Sequence, residues 1–271
     1  MKIGILFFTG TGVTAKFAYD IAEGIEEEGH EVELIRLKKE IIFDASKYDI
    51  IGIGSPSYSF RAPRLTTKLI QNIDFKQKPF FVFCTSGGMS GNTLWNLYFS
   101  TKKKAGICLG FNQGFGTTNL RSWMPNKGSS EKLWGLNDYD YTHAKRLGKE
   151  ILRNYKLWSL DNGLKEKKNW KPRPSFLTII WSLLFTWRWM MAATVGRKHV
   201  DKEKCTKCQK CATKICPSGA ITLSDEKYPI FNEKRCIGCN ACVNLCPDDA
   251  IWSRRTKHHK QYNLYKEYVL K

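Results

Sequence analysis

The chain has 271 residues, enough for two domains, and at 42% hydrophobic with 25% charged it reads as globular rather than disordered. Its 44 basic against 25 acidic residues give a formal charge of +19. That charge suits an acidic protein, an anionic membrane surface or nucleic acid as partner, and by itself selects none of them.

Lys2–Phe8 is a short apolar run, long enough for a buried strand. It breaks at Thr9, Gly10, Thr11, Gly12, Val13 and Thr14. A helical pattern follows over Ala15–Glu28, with Phe17, Ala18, Ile21, Ala22 and Ile25 on one face. Strand, Gly/Thr-rich loop and helix together make a phosphate-binding arrangement. The glycines let backbone approach, the threonines add hydroxyl donors, and the helix N-terminus supplies free N–H groups. The loop matches neither G-x-x-x-x-G-K-[ST] nor G-x-G-x-x-G, and it holds no lysine, which disfavours a magnesium-bound triphosphate.

The alternation continues. Strands are expected at Val32–Leu37, Ile50–Gly54, Pro79–Cys84 and Ala105–Phe111, and helices at Pro63–Asn72, Asn92–Lys103 and Tyr141–Tyr155. This pattern predicts an α/β, doubly wound parallel sheet. Its ligand would sit outside the C-terminal strand ends. Two further loops emerge there. One carries Ser55, Pro56, Ser57, Tyr58 and Phe60. The other carries Thr85, Ser86, Gly87 and Gly88 and runs on to Asn92. Small polar residues with a few large flat ones suit a planar ring, bonded at its edge and stacked on its face. Cys84 and Cys108 fall in apolar strands and read as small buried hydrophobes.

On these residues the first half resembles the flavodoxin family. The resemblance covers about residues 1–155 and implies a bound FMN. Thr9–Thr14 would hold the phosphate. Ser55, Pro56, Ser57, Tyr58 and Phe60 would line one side of the ring, and Thr85, Ser86, Gly87, Gly88 and Asn92 the other. Tyr58 is favoured over Phe60 as the stacking aromatic. Two features depart from the family: this half is not acidic, and the connection Asn112–Tyr139 is long, with Trp123, Met124 and Trp134 in it.

Residues 156–197 read as a basic linker with an apolar, tryptophan-rich helix over Ser175–Val195. Arg188 interrupts the apolar run too early for a transmembrane span of about 20 residues. Two readings follow: a helix docked internally, or one resting on an anionic membrane with Lys167, Lys168, Lys171, Arg173, Arg197 and Lys198 beside it.

Eight of the ten cysteines lie between Cys205 and Cys246. Cys205, Cys208, Cys211 and Cys216-Pro217 form one run, and Cys236, Cys239, Cys242 and Cys246-Pro247 repeat it. A zinc ribbon would use four ligands in two C-x₂-C pairs. Three cysteines at this spacing plus a fourth before proline is the bacterial ferredoxin run, whose fourth cysteine ligates the other cluster. The expectation is two [4Fe–4S] clusters, one on Cys205, Cys208, Cys211 and Cys246, the other on Cys236, Cys239, Cys242 and Cys216. The module, residues 198–253, should be a small α+β two-cluster ferredoxin-like domain. One more residue separates Cys211 from Cys216 than Cys242 from Cys246, which predicts a local bulge. The stretch Arg254–Lys260 of the basic tail, residues 254–271, reads as solvated or partner-facing.

The two halves together resemble the flavodoxin–ferredoxin fusion proteins. G-S-P-S-Y-S-F-R-A-P-R at 54–64 and W-M-P-N at 123–126 extend that resemblance. It implies intramolecular electron transfer between FMN and the clusters, and exchange with a low-potential partner. An acidic redox protein is the expected partner, steered by Lys204, Lys207, Lys210 and Lys214. Two alternatives stand beside it: an FMN-dependent reductase of a quinone or other small acceptor, and a redox-responsive regulatory module. Nucleic-acid binding is not expected, because no recognised module accompanies the charge. Clustered thiolates need a reducing compartment and the N-terminus shows no export pattern, so a cytoplasmic location is expected, with association at the cytoplasmic membrane face as a variant of it.

Overall fold

The structure is a computed structural model; it describes residues 1–39, 41–116, 136–160, 166–185 and 195–270, without the side chains of 181–185. Two compact units divide the described residues, the first holding Met1–Thr9, Val13–Gly116 and Leu136–Ser182, the second Gly10–Gly12 and Leu183–Lys271.

The first unit alternates strands and helices, as the apolar periodicity dictates. In order they are β1 (Lys2–Phe7), α1 (Val13–Glu26), β2 (Glu31–Arg36), β3 (Ile50–Pro56), α2 (Arg64–Asn72), β4 (Phe80–Ser86), α3 (Thr93–Lys102), β5 (Cys108–Phe115), α4 (Asp138–Leu160) and α5 (Phe176–Phe185). The five strands form one parallel sheet in the order β2-β1-β3-β4-β5. This is the flavodoxin-like order, and its switch point lies between β1 and β3. The inner strands β3 and β4 are buried almost throughout, while edge strand β2 is half-exposed.

Close approaches set the packing. Opposite Gly52 and Gly54 of β3 stand Phe81 and Phe83 of β4, and a Cβ at Gly54 would lie 2.1 Å from the Phe83 ring. Glycine here lets an aromatic lie flat across the neighbouring strand. Helices α1 and α4 meet through a second pair. A Cβ at Gly24 would stand 2.2 Å from the Lys145 carbonyl oxygen, and one at Gly148 2.5 Å from that of Ile21.

Some boundaries differ from expectation. Strand β5 begins three residues later than the apolar run suggests. Ala105 N–H still closes the end of α3 on Thr101, and Gly106 N–H returns to the Lys78 carbonyl before the chain enters the sheet. The strand then continues through polar Asn112 and Gln113, which the apolar pattern leaves out. Helix α4 runs on to Leu160. Trp123, Met124 and Trp134 lie outside the described residues.

The basic linker is not a free tether over its middle part. Glu166 accepts from Cys108 N–H at 2.7 Å, from the Tyr98 hydroxyl at 2.7 Å and from Lys102 Nζ at 3.1 Å. Trp170 is buried, and the amide of Asn92 both accepts from Ser175 N–H and donates to its carbonyl. Residues 166–175 therefore belong to the sheet unit.

The second unit is a pair of two-stranded ribbons with short helical turns. β6 (His199–Val200) pairs with β9 (Ile251–Trp252), and β7 (Ile221–Leu223) with β8 (Pro229–Phe231). The ribbon β7–β8 lies in the spacer between the two cysteine runs. The stretch Arg254–Lys260 is mostly exposed, while residues after it pack inward. Thr256, Tyr262 and Val269 are buried, and Gln261 Nε2 donates to the carbonyls of Val243 at 3.2 Å and Cys246 at 2.9 Å. Tyr262 N–H donates to Asn244 Oδ1. Arg254, Arg255, Lys257 and Lys260 stay exposed, so the charge seen in the sequence is real but rides on a packed segment.

Candidate functional site

The two cysteine runs fold as near copies. Lys207 and Gly238 hold the same place in their runs and both adopt positive φ, 56° and 70°. Gln209 and Asn240 match likewise at 59° and 51°, and Gly219 and Asp249 at 61° and 47°. Left-handed residues within a turn point successive N–H groups to one side, which makes a nest for negatively charged sulfur. Bonds of that kind are present. Ala220 N–H donates to Cys216 Sγ at 3.3 Å and Gly238 N–H to Cys236 Sγ at 3.5 Å.

The runs part at the extra residue. In the second run, Ala241–Leu245 is an α-helical turn, with Asn244 N–H on the Asn240 carbonyl. In the first, Cys211–Ile215 is a π turn, closed by Cys216 N–H on the Cys211 carbonyl at 3.0 Å. A π turn adds one residue to a helical ring. The expected bulge is thus a widened turn, and Cys216 still arrives at a cavity.

Two cavities sort the thiols. Cys205, Cys208, Cys211 and Cys246 border one, with Lys207, Asp248 and Ile251. Cys216, Cys236, Cys239 and Cys242 border the other, with Lys198, Ser218 and Phe231. Each cavity therefore combines three cysteines of one run with the fourth of its twin. Among the described residues no three His, Cys, Asp or Glu side chains converge as ligands of a single ion do. Four sulfurs spread round a cavity, with N–H groups aimed at them, are a donor set suited to a cluster. Burial pushes the Cys211 thiol up to about 11 and that of Cys239 up to about 12. Filling the site with iron hence releases protons.

Exposure differs between the cavities. Cys208 is exposed, whereas Cys239 is buried. Lys198 is a residue that the spacing rules did not single out. Its Nζ is 3.2 Å from Cys236 Sγ and 3.0 Å from Glu233 Oε2. In the sequence it figures only as one of the basic residues flanking Ser175–Val195.

Three loops leave the C-terminal ends of the parallel strands. Ladder bonds carry them outward: Phe8 N–H to Gly54, Ser57 N–H to Thr85 and Gly116 N–H to Ser86. The Thr14 and Thr85 hydroxyls lie 2.7 Å apart, joining the first loop to the third. Ser57 Oγ donates to the Ser90 carbonyl at 3.0 Å, joining the second to the third. Thr9, Thr11 and Thr14 are buried, and Gly12 has φ +102°, which explains the glycine. The second loop turns tightly at Ser59 and Phe60, both with positive φ, between Tyr58 and Arg61. Gly91 lies against Phe60, where a Cβ would come within 2.5 Å. Phe60 thus wedges two loops together. Tyr58 is half-buried, its ring edge-on to Phe8. Ser55 and Ser86 are buried, and Gly87 and Gly88 are exposed. Asn92 departs from its expected role. Its amide is spent on Ser175, so it anchors the linker rather than facing a ring. Cys84 and Cys108 are fully buried, with thiols pushed up to about 12 by burial, which fits packing.

Loops of this chemistry beside a parallel sheet fit a flavin, and the four-thiol cavities fit clusters. Two family models match the chain accordingly, a flavodoxin domain over residues 4–105 and a 4Fe-4S dicluster domain over residues 204–251. The chain has the flavodoxin–ferredoxin architecture, a flavodoxin domain followed by a 4Fe-4S dicluster domain. Its C-terminal part is similar to pyruvate synthase subunit PorD of Methanocaldococcus jannaschii, 38% identical over 66 residues, 24% of this chain and 69% of that one. It is also similar to one polypeptide of the anaerobic dimethyl sulfoxide reductase of Haemophilus influenzae, 45% identical over 56 residues, 19% of this chain and 27% of that polypeptide. The fusion spans about a quarter of the length of that reductase polypeptide. A solved archaeal flavodoxin aligns with TM-score 0.45 at 17% identity, over 58% of this chain and 99% of that one. The fusion's cofactors are FMN and two [4Fe–4S] clusters, and its chemistry is electron transfer.

Proposed function

We propose that the chain passes electrons between its clusters and its FMN and exchanges them with an acidic, low-potential redox protein. The observation that supports this most is the sorting of eight cysteines into two four-thiol cavities on the same chain as a flavin-type loop set. Clusters move single electrons and FMN takes one or two, so together they can join one-electron and two-electron chemistry. The protein's part is to hold and orient. In this reading Cys205, Cys208, Cys211 and Cys246 hold one cluster, and Cys216, Cys236, Cys239 and Cys242 the other. Thr9, Thr11, Gly12 and Thr14 hold the phosphate, and the loops of Tyr58 and Ser86 hold the ring. Exposed Cys208 lies among exposed Lys204, Lys207 and Lys210, a point where an acidic partner would dock.

Anaerobic purification should give about eight irons and about one FMN per chain. Rapid mixing with a low-potential one-electron donor should then bleach the flavin faster in the intact chain than in a Cys205→Ala/Cys236→Ala variant. Equal rates, or a flavin-free protein, would overturn the proposal.

A second reading concerns the apolar segment. Among the described residues no helix is long and apolar enough to cross a membrane. Phe176, Leu177 and Ile180 of α5 are nevertheless exposed. Exposed Lys167, Lys168 and Arg173 stand beside it. An apolar face with basic flanks suits the surface of an anionic bilayer. Vesicles containing phosphatidylserine should pellet the protein, and neutral phosphatidylcholine vesicles should not. Ile180→Glu should release it. Equal pelleting with both vesicle types would sink this reading.

A further inference from the structure

The two cavities are alike in thiols and unlike in charge. Lys198 lines the one bordered by Cys216, Cys236, Cys239 and Cys242, and its side chain is only 4% exposed. Its place is fixed from both ends. The backbone N–H of Lys198 donates to Glu233 Oε1 at 2.8 Å, and the Ser253 hydroxyl donates to the nearby Val195 carbonyl at 2.7 Å. The ammonium then has little freedom and sits 3.2 Å from Cys236 Sγ. Glu233, the counter-ion, is the more exposed member at 33%, so water screens its charge better than that of the lysine. The pair forms a fixed dipole with its positive end on the sulfur.

The other cavity lacks this arrangement in its lining lysines. Lys207 and Lys227 are both exposed, and the Lys207 ammonium lies over the Tyr228 ring, 4.7 Å from its centroid.

A reduced cluster carries one more negative charge than an oxidised one, and part of it resides on the thiolate sulfurs. A buried cation bonded to such a sulfur stabilises the reduced form more than the oxidised one. We propose that Lys198 makes the two clusters unequal, so that the one held by Cys216, Cys236, Cys239 and Cys242 has the higher reduction potential and takes the first electron. This rests on the ligand assignment given under Proposed function. Its consequence for traffic is an ordering. An electron arriving at the cluster beside exposed Cys208 moves to the one beside Lys198 and is held there. Lys198 is a positioning and tuning residue, since it acts through Cys236.

The test is an anaerobic redox titration of the iron-loaded full chain, followed by electron paramagnetic resonance. Wild type should show two cluster potentials. Lys198→Met should lower the upper one and leave the other in place, changing the partition of one electron between them by about tenfold, about 59 mV for a one-electron couple. Glu233→Gln should move the same potential upward, and Lys198→Arg should restore most of the wild-type value. A merely structural role would not give shifts of opposite sign. If Lys198→Met fails to take up iron, Glu233→Gln and Lys198→Arg carry the test. Coincident potentials in wild type, an unmoved potential in iron-replete Lys198→Met, or a downward shift in Glu233→Gln would each overturn the proposal. An iron content near four per chain in wild type would instead sink the two-cluster assignment, which the metal analysis reads separately.

Discussion

Cys246→Ala is expected to remove the cluster on the far run's cysteines, Cys205, Cys208 and Cys211, rather than the one beside its own neighbours. Iron should fall from about eight to about four per chain. Iron content alone does not distinguish crossed from uncrossed ligation, but pairing the substitution does. In the crossed arrangement Cys205 and Cys246 border one cavity. The double variant Cys205→Ala/Cys246→Ala should therefore keep about four irons, because both changes strike the same cluster. Uncrossed ligation would strip both clusters and leave almost none. The non-additivity is the signature of a shared site. Cys246 is also tied into the unit beyond its thiol. Its carbonyl accepts from Gln261, and burial raises its thiol although the N–H groups of Asp248, Ala250 and Ile251 oppose that. Loss of the sulfur should therefore leave the local backbone in place, with the surviving signal on Cys216, Cys236, Cys239 and Cys242.

Gly24→Val in α1 is expected to cost the sheet unit about 3 kcal/mol, a fall of roughly 6–12 °C in melting temperature. A Cβ there would lie 2.2 Å from the Lys145 carbonyl oxygen, which is backbone and cannot swing aside. The helices must separate, and the packing of buried Ile21, Ile25, Ala144 and Leu147 on the two helices loosens with them. Gly24→Ala sharpens the point. Alanine favours a helix over glycine by about 1 kcal/mol, so a stabilised variant would show that the helices can part at little cost. A net loss, seen in circular dichroism and as early FMN release on heating, is the expected result. Gly148→Val should behave alike from the other side, where Ile21 offers its carbonyl oxygen at 2.5 Å.

Much of this was legible in the chain because the signals are local. Short strand-length runs alternating with helical patterns gave the five strands, and ligand spacing gave the eight cysteines. The assignment of Cys216 and Cys246 to opposite cavities also followed from the spacing pattern. What escaped depends on contacts between distant residues. Lys198 meets Cys236 through folding alone, and no spacing links them. Asn92 looks like a loop polar residue until Ser175 is brought beside it. The tail reads as basic and solvated from Arg254 to Lys260, but Tyr262 and Val269 turn inward, a pattern too short for periodicity to reveal. Polar Asn112 and Gln113 hid the end of β5, because a strand near the sheet edge tolerates them.

The π turn at Cys211–Ile215 bears on how such a repeat can change over generations. A duplicated ligand run would ordinarily be intolerant of length change, since a residue gained turns every later side chain by about 100° around a helix. Here the gain is confined to one ring, closed by Cys216 on Cys211, and the cysteine beyond it is delivered as before. Loss of one codon between 212 and 215 would return that ring to ordinary size. The same loss between Cys242 and Cys246 has no surplus to draw on and would carry Cys246 away from its cavity. The two halves of the module thus differ in which lengths they can survive, although they differ little in what they bind.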